Sequence, residues 1–222
     1  VVNTYYPGAA SASTGATSIS LGTATGNAQT IVVGDMVLII QMQDASINSS
    51  NTDAYGNGQG GEITVPTNPS PNAASGATNI NSSGLYEFNI ATNAVGPTGG
   101  PLTLATPIQN SYTHAGATAT NGQKRFQVVR VPQYASATLA GTVTATAWNG
   151  AVGGIVAFDV AGSLNFNNNA VNVEGRGFRG GRGLNTSYID SKLFRFASED
   201  KHDGFKGEGI AGTPTHLWDG IA

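Results

Sequence analysis

Cysteine is absent from all 222 residues. That excludes a disulfide framework and any thiolate metal site. Charge is scarce as well. Asp, Glu, Lys and Arg make up 10% of the chain, against about 25% in an average soluble domain. One sign is missing from half the molecule: no Lys or Arg precedes Lys124, while Asp35, Asp44, Asp53, Glu62 and Glu87 all do. With a formal net charge of −3, the chain does not suit phosphate-backbone binding, and no nucleic-acid partner is expected. Long apolar runs are lacking too. The longest, Met36 to Ile40, is strand-sized, well short of the roughly 20 residues of a helical membrane span; no membrane insertion is expected. There is no G-x-S-x-G elbow and no H-E-x-x-H pair, and little helix is expected anywhere.

What fills the space is Gly, Ala, Ser, Thr and Asn, with 39% hydrophobic residues gathered in short clusters. Disorder usually joins low hydrophobicity to high net charge, so this composition reads as a folded domain solvated by hydroxyls and amides. Secreted bacterial surface proteins share that composition. The chain opens at Val1 with no Met and no signal-peptide pattern; it is expected to be a mature or excised segment of a longer parent.

Alternation marks the strands. Val1–Tyr6 is β-prone and ends at Pro7-Gly8, a turn signal. Thr17–Leu21 alternates. In QTIVVGDMVLIIQMQ, strands are predicted over Thr30–Val33 and Met36–Gln43, joined by a tight turn at Gly34-Asp35. The second is apolar on both faces near its start, which predicts a central strand buried on both sides. Ile63–Val65, Leu85–Ala91 and Leu102–Ala105 follow, and Tyr112–Gly122 reads as a connection. Arg125–Val131 is a strand stopped by Pro132, and Thr142–Ala147 one ended by Asn149-Gly150. Three short apolar segments then alternate with Gly or Asn corners: Val156–Val160, Leu164–Phe166 and Val171–Val173. Such a rhythm suits coils of a β-solenoid or a meander in a sandwich. No fixed repeat spans the chain, so a long regular solenoid is excluded.

The expected fold is therefore all-β: a β-sandwich or small barrel leading into β-solenoid-like coils. Two parts are expected, packed as one unit: residues 1–123, β-rich with long polar loops, and residues 124–222, carrying the coils and a Gly/Arg-rich loop.

Candidate chemistry is thin. Glu174–Gly183, EGRGFRGGRG, holds Gly175-x-Gly177-x-x-Gly180, but a dinucleotide site needs that pattern to open a helix, and no helix pattern follows. Arg176, Arg179 and Arg182 around Phe178 resemble an RGG box. The preferred reading is a surface turn whose arginines meet carboxylates or a neighbouring subunit. The loop Asp44–Glu62 supplies oxygen ligands that Ca²⁺ favours, chiefly Asp44, Asp53, Asn57 and Glu62. Their spacing matches neither an EF-hand nor a calcium-binding nonapeptide, and a solvated loop is the plainer reading. Residues 199–203 (EDKHD) read as a hydrated charged turn. His114, His202 and His216 lie in unrelated contexts. Asp159 and Arg130 fall on predicted strands, but nothing gathers them into a polysaccharide-cleaving cluster, so no catalytic residues and no enzyme are expected. Aromatics flanking turns, among them Tyr55, Tyr134 and Trp148, could form a sugar platform, though turn packing explains each singly. The sequons at Asn48, Asn81 and Asn185 matter only where the source glycosylates them.

Taken together, VVNTYYPG, GDMVLIIQMQDA, RFQVVRVPQY, GGIVAFDVAGSLNF, GRGFRGG and KGEGIAGTP resemble the N-terminal region of large secreted bacterial surface and adhesin-like proteins. Those proteins often continue into glycine-rich, repeated β-domains. The resemblance runs over nearly the whole chain, its motifs are structural, and Tyr188–Phe196 departs from it by being poor in glycine. It implies an extracellular address and a structural or adhesive role, without catalytic residues or a ligand. The expectation is a homopolymeric filament, sheath or matrix subunit. Its subunit contacts would involve Val1, Val2, Tyr5 and Tyr6 as an exchangeable strand, with Arg176, Arg179 and Arg182. The rival is a monomeric adhesive module that binds surface glycans, with or without calcium.

Overall fold

A computed structural model describes residues 1–47, 77–118, 121–180 and 208–212. Among the described residues the protein is all-β with no helix. In chain order the strands of the first half are β1 (Thr4–Pro7), β2 (Ser18–Leu21), β3 (Thr25–Gly26), β4 (Met36–Gln43), β5 (Ser46–Ile47) and β6 (Ala77–Asn79). They continue with β7 (Tyr86–Ile90), β8 (Gly100–Thr103), β9 (Arg125–Val131), β10 (Gln133–Tyr134), β11 (Ala137–Thr138), β12 (Asp159–Val160) and β13 (Leu164–Asn165).

The organising sheet is five-stranded and antiparallel, in the order β3-β1-β9-β4-β7. Side chains of successive strand residues point to opposite faces, and over the central strands both faces are covered. On one, Tyr6, Val37, Ile39, Phe126 and Val128 pack under Ile19 and Leu21 of β2, Leu102 of β8, and Leu104, Ile108 and Tyr112. On the other, Tyr5, Leu38, Val129 and Val131 pack under Val152, with Ile155 and Ala157 beside it. The expected burial of β4 on both faces is thus met, because β9 and β7 flank it and apolar layers lie above and below. Full burial of a Val, Leu or Ile side chain stabilises by ~1.5–3 kcal/mol, so β4 and β9 together form the stability centre.

The second layer is the antiparallel pair β2–β8. Single bridges, Gly8↔Leu21 and Ala91↔Leu104, pin its corners to β1 and β7. These joins are isolated bridges and not continuous ladders, so the expected small barrel does not close.

Three expectations shift. The strand predicted over Thr30–Val33 shrinks to one bridge, Ile31↔Val95. The Asp35 carboxylate accepts from Val32 N–H at 2.8 Å and is itself gripped by Arg130, which pulls this segment into a turn. Tyr112–Gly122 is more than a connection: Tyr112 is buried and bridged to Ala12, and Ala115 bridges Lys124. Finally, β9 lies in the middle of the sheet built by the first half. Parallel pairing begins only after Val131. The predicted strand Ile63–Val65 falls outside the described residues.

Candidate assembly surface

Beyond Pro132 the chain changes its pairing from antiparallel to parallel. Gln133–Tyr134 (β10) pairs in parallel with Asp159–Val160 (β12), Ala137–Thr138 (β11) with Leu164–Asn165 (β13), and Val143 bridges Val171 in the same sense. Each partner lies 26 to 28 residues further on. Trp148 N–H continues the series by donating to the Arg176 carbonyl at 2.9 Å. Two successive rungs therefore lie one on the other.

Asparagine shapes the corners. Asn167 and Asn168 adopt positive φ, 47° and 58°, a left-handed conformation that Asn tolerates better than most residues. Asn167 N–H is held by its neighbour's side chain, Asn165 Oδ1, at 2.9 Å. Asn169 Nδ2 donates to the Leu139 carbonyl at 2.9 Å, tying the outer corner to the inner rung.

The two rungs differ in burial. On the inner one, Leu139, Val143, Ala145 and Trp148 are buried. On the outer one, Phe166, Val171 and Val173 are 47%, 40% and 46% exposed. Among the described residues no strand pairs with the far side of β12 or β13. An unpaired rung with apolar side chains offers backbone N–H and C=O groups to any chain that can add a further strand.

The Gly/Arg loop closes this region. Arg179 forms a two-pronged pair with Glu208, Nε to Oε2 at 2.7 Å and Nη2 to Oε1 at 2.5 Å. The arginine side chain is 59% exposed and the glutamate 6%. Burial would raise the Glu208 pKa, but the Arg179 side chain, backbone N–H and charge hold it below the ordinary carboxylate range. Phe178 meets Trp148 edge to face at 5.4 Å. Glu208 begins a strap, residues 208–212, that runs back to the sheet: Ile210 C=O accepts from Asp44 and Ala45 N–H, and Gly209 C=O from Gln43 Nε2. The arginine reading is partly met: Arg179 does meet a carboxylate, though one of its own chain. Arg176 takes part through its backbone, and Arg182 lies outside the described residues. Gly175, Gly177 and Gly180 precede no helix among the described residues.

Other candidate residues find different employment. Tyr5 and Tyr6 are buried, and β1 is paired on both edges within its own chain, to β3 and β9. In this chain both are core residues, with their hydroxyls donating to Ile155 and Val95 carbonyls. Val1 is exposed and Val2 half-buried. Asp44 is buried, 2.8 Å from Lys124 Nζ, and its other oxygen accepts from Ser82 N–H at 3.0 Å; it is a clasp between the ends of β4 and β9. Asp53, Asn57 and Glu62 lie outside the described residues, as do residues 199–203, His202 and His216. No three His, Cys, Asp or Glu side chains gather among the described residues. Arg130 grips Asp35, Nε to Oδ2 at 2.7 Å, while Asp159 is exposed on β12. His114 is half-buried, its pKa lowered by burial and by the charge of Arg125. Asn81 Nδ2 already donates to Asp44 C=O and Ser46 Oγ.

Sequence reasoning missed two features. One is a set of buried amides that dock loops on the sheet, with Gln41 holding Thr113, Gln127 holding Gly153 and Asn3 holding Ala157. A buried Gln at a regular strand position, flanked by Val and Phe, was the available signal. The other is that the aromatic side of β7 faces out: Tyr86 is 60% and Phe88 52% exposed. No protein-family model matches the chain, and no curated protein or solved structure matches it.

Proposed function

We propose that the chain is a structural subunit of the bacterial exterior, a filament, sheath or matrix component, and that copies of it join by β-strand stacking. The observation that carries this reading is the parallel pair of rungs whose outer member keeps Phe166, Val171 and Val173 half out of water. On this reading the rungs are the beginning of a short β-solenoid. A solenoid rung cannot bury its apolar row alone; the next rung buries it. An added strand from another copy supplies that cover.

Composition supports the same reading. A low-charge surface of hydroxyls and amides lets copies approach without strong repulsion. The sheet carries the rungs on a rigid base through Gln127–Gly153 and Asn3–Ala157. The extracellular address rests on composition and on the resemblance to secreted surface proteins.

The test is assembly state. Purified protein, followed by sedimentation and electron microscopy across concentration, forms ordered polymers. A Phe166→Asp, Val171→Asp variant, folded by circular dichroism, does not extend them. Wild-type protein that stays monomeric at all concentrations rejects the reading.

A further inference from the structure

We propose that residues 208–212 are an exchangeable strap: two copies of the chain each seat this segment on the other and so form a closed dimer. The contact is separate from the rung stacking proposed above and does not depend on it.

Both halves of the fold build the seat. Gln43 Nε2 donates to the Gly209 carbonyl at 3.0 Å. The N–H groups of Asp44 and Ala45 and the hydroxyl of Ser83 converge on the Ile210 carbonyl. Gln123 fixes the Gln43 amide, Nε2 to Oε1 at 2.9 Å. At the near end Arg179 takes Glu208 with its guanidinium and with its backbone: its N–H donates to Oε2 at 3.2 Å, and its C=O accepts from Glu208 N–H at 2.8 Å. At the far end Gly212 turns with φ +61°, and a Cβ there would overlap the Gln123 backbone. The seat therefore reads a carboxylate, two carbonyls and a glycine, in that order. Glu208-Gly209-Ile210-Ala211-Gly212 supplies them, and every copy of the chain carries it.

The strap is held in a way that permits exchange. Its one large apolar side chain, Ile210, is 41% exposed, and its charge partner Arg179 is 59% exposed. Hydrogen bonds traded against water stabilise little net, and an ion pair open to solvent on one side adds little more. The strap thus belongs to the weakly held end of the fold. The same segment from another copy restores every one of these contacts, so exchange of the identical element loses no interaction.

The tether gives the reach. Arg179 and Glu208 touch although 29 positions separate them. A tight turn would be enough to join two touching groups. A stretch of this length extends to roughly 90 Å, several times the ~17 Å radius of gyration of a domain this size. It can carry the strap to a neighbour's seat. Such a tether sets an effective concentration on the order of mM, which crowded copies match. Reciprocal exchange fills both seats and closes after two copies.

The experiment is a charge-reversal complementation. Full-length Arg179→Glu and Glu208→Arg are each prepared in the rung variant Phe166→Asp/Val171→Asp, which removes rung stacking, and circular dichroism checks each fold. Either reversal alone sets like charges at the clasp, within a copy and between copies. In a mixture, each strap finds its opposite charge only in the other variant's seat. By analytical ultracentrifugation the mixture is expected to dimerise at least about tenfold more tightly than either variant alone. A mixture that sediments as the sum of its two components overturns the inference. If a reversal prevents folding, the parent rung variant decides: the peptide of residues 206–214, KGEGIAGTP, added in excess, is expected to split its dimer. A parent that stays monomeric at every concentration, or a dimer indifferent to the peptide, overturns the inference. Wild-type polymers that persist where exchange fails leave the assembly reading intact. Complementation in a protein whose wild type never passes the dimer supports the inference and rejects the polymer reading.

Discussion

The side chain of Gln127 and the backbone of Gly153 form a reciprocal pair: Nε2 donates to the glycine carbonyl at 2.9 Å, and the glycine N–H donates to Oε1 at 2.9 Å. An amide side chain thus stands in for a neighbouring strand and fixes the strip that covers one face of the sheet. Both groups are buried, so removing the amide strands a donor and an acceptor at once. Gln127→Leu is expected to lower stability by about 2–3 kcal/mol, read as a lower urea midpoint. Asn3→Ala weakens the same strip at Ala157. Because one release frees the other, the double variant loses less than the sum of the two.

Gly8 sits where a Cβ would overlap the Phe126 ring. Phe126 is buried in the main core cluster and cannot swing aside. Gly8→Ala is expected to cost about 1–3 kcal/mol as overpacking, measured as a lower Tm, whereas Gly15→Ala meets open space and faces only the strain of φ +89°.

The Arg179–Glu208 clasp gives a pH dependence whose sign is fixed. The Glu208 pKa is lowered in the folded state from its ordinary 4.5. The clasp therefore contributes fully above that value and is lost as pH falls through the lowered folded pKa. Arg179 is largely exposed, so the contribution to global stability is small. The local signal is larger, since Trp148 lies against Phe178. In a Trp218→Phe background, Trp148 fluorescence is expected to shift as the pH falls through the lowered folded pKa of Glu208, below its ordinary 4.5, and Glu208→Gln is expected to abolish the transition.

Asp44 and Lys124 form a second charged clasp, beside the strap that Glu208 begins. Lys124→Met leaves the buried carboxylate without its cation, while Asp44→Asn removes the charge and leaves an oxygen for Ser82 N–H. Lys124→Met is expected to destabilise more than Asp44→Asn, by about 1–2 kcal/mol, measured by urea unfolding at low and moderate salt. The order reverses if Asp44 chiefly serves an ion.

Periodicity made the sheet strands legible. Met36–Gln43 and Arg125–Val131 announce themselves, because two-faced apolar runs of that length have no stable place except inside a sheet. The turn at Asn149-Gly150 and the corners at Asn167–Asn169 were legible for a similar reason: their backbone conformations suit few other residues. The fate of Thr30–Val33 was not, since it hangs on Arg130 and Asp35 meeting across a long stretch of chain. The partners of Gln41 and Gln127 were hidden for the same cause: an amide's bonds are set by what the fold brings beside it.

The residue pattern therefore settled the all-β class, the central strands and the low-charge surface, all of which follow from local conformation and alternation. Folding in three dimensions placed β1 inside its own sheet and turned Tyr5 and Tyr6 into core. It stacked Asp159–Val173 on Gln133–Val143 and left the aromatic side of β7 in water. These are non-local pairings between segments far apart in the chain, and alternation shows that a strand has an apolar face without showing what covers it.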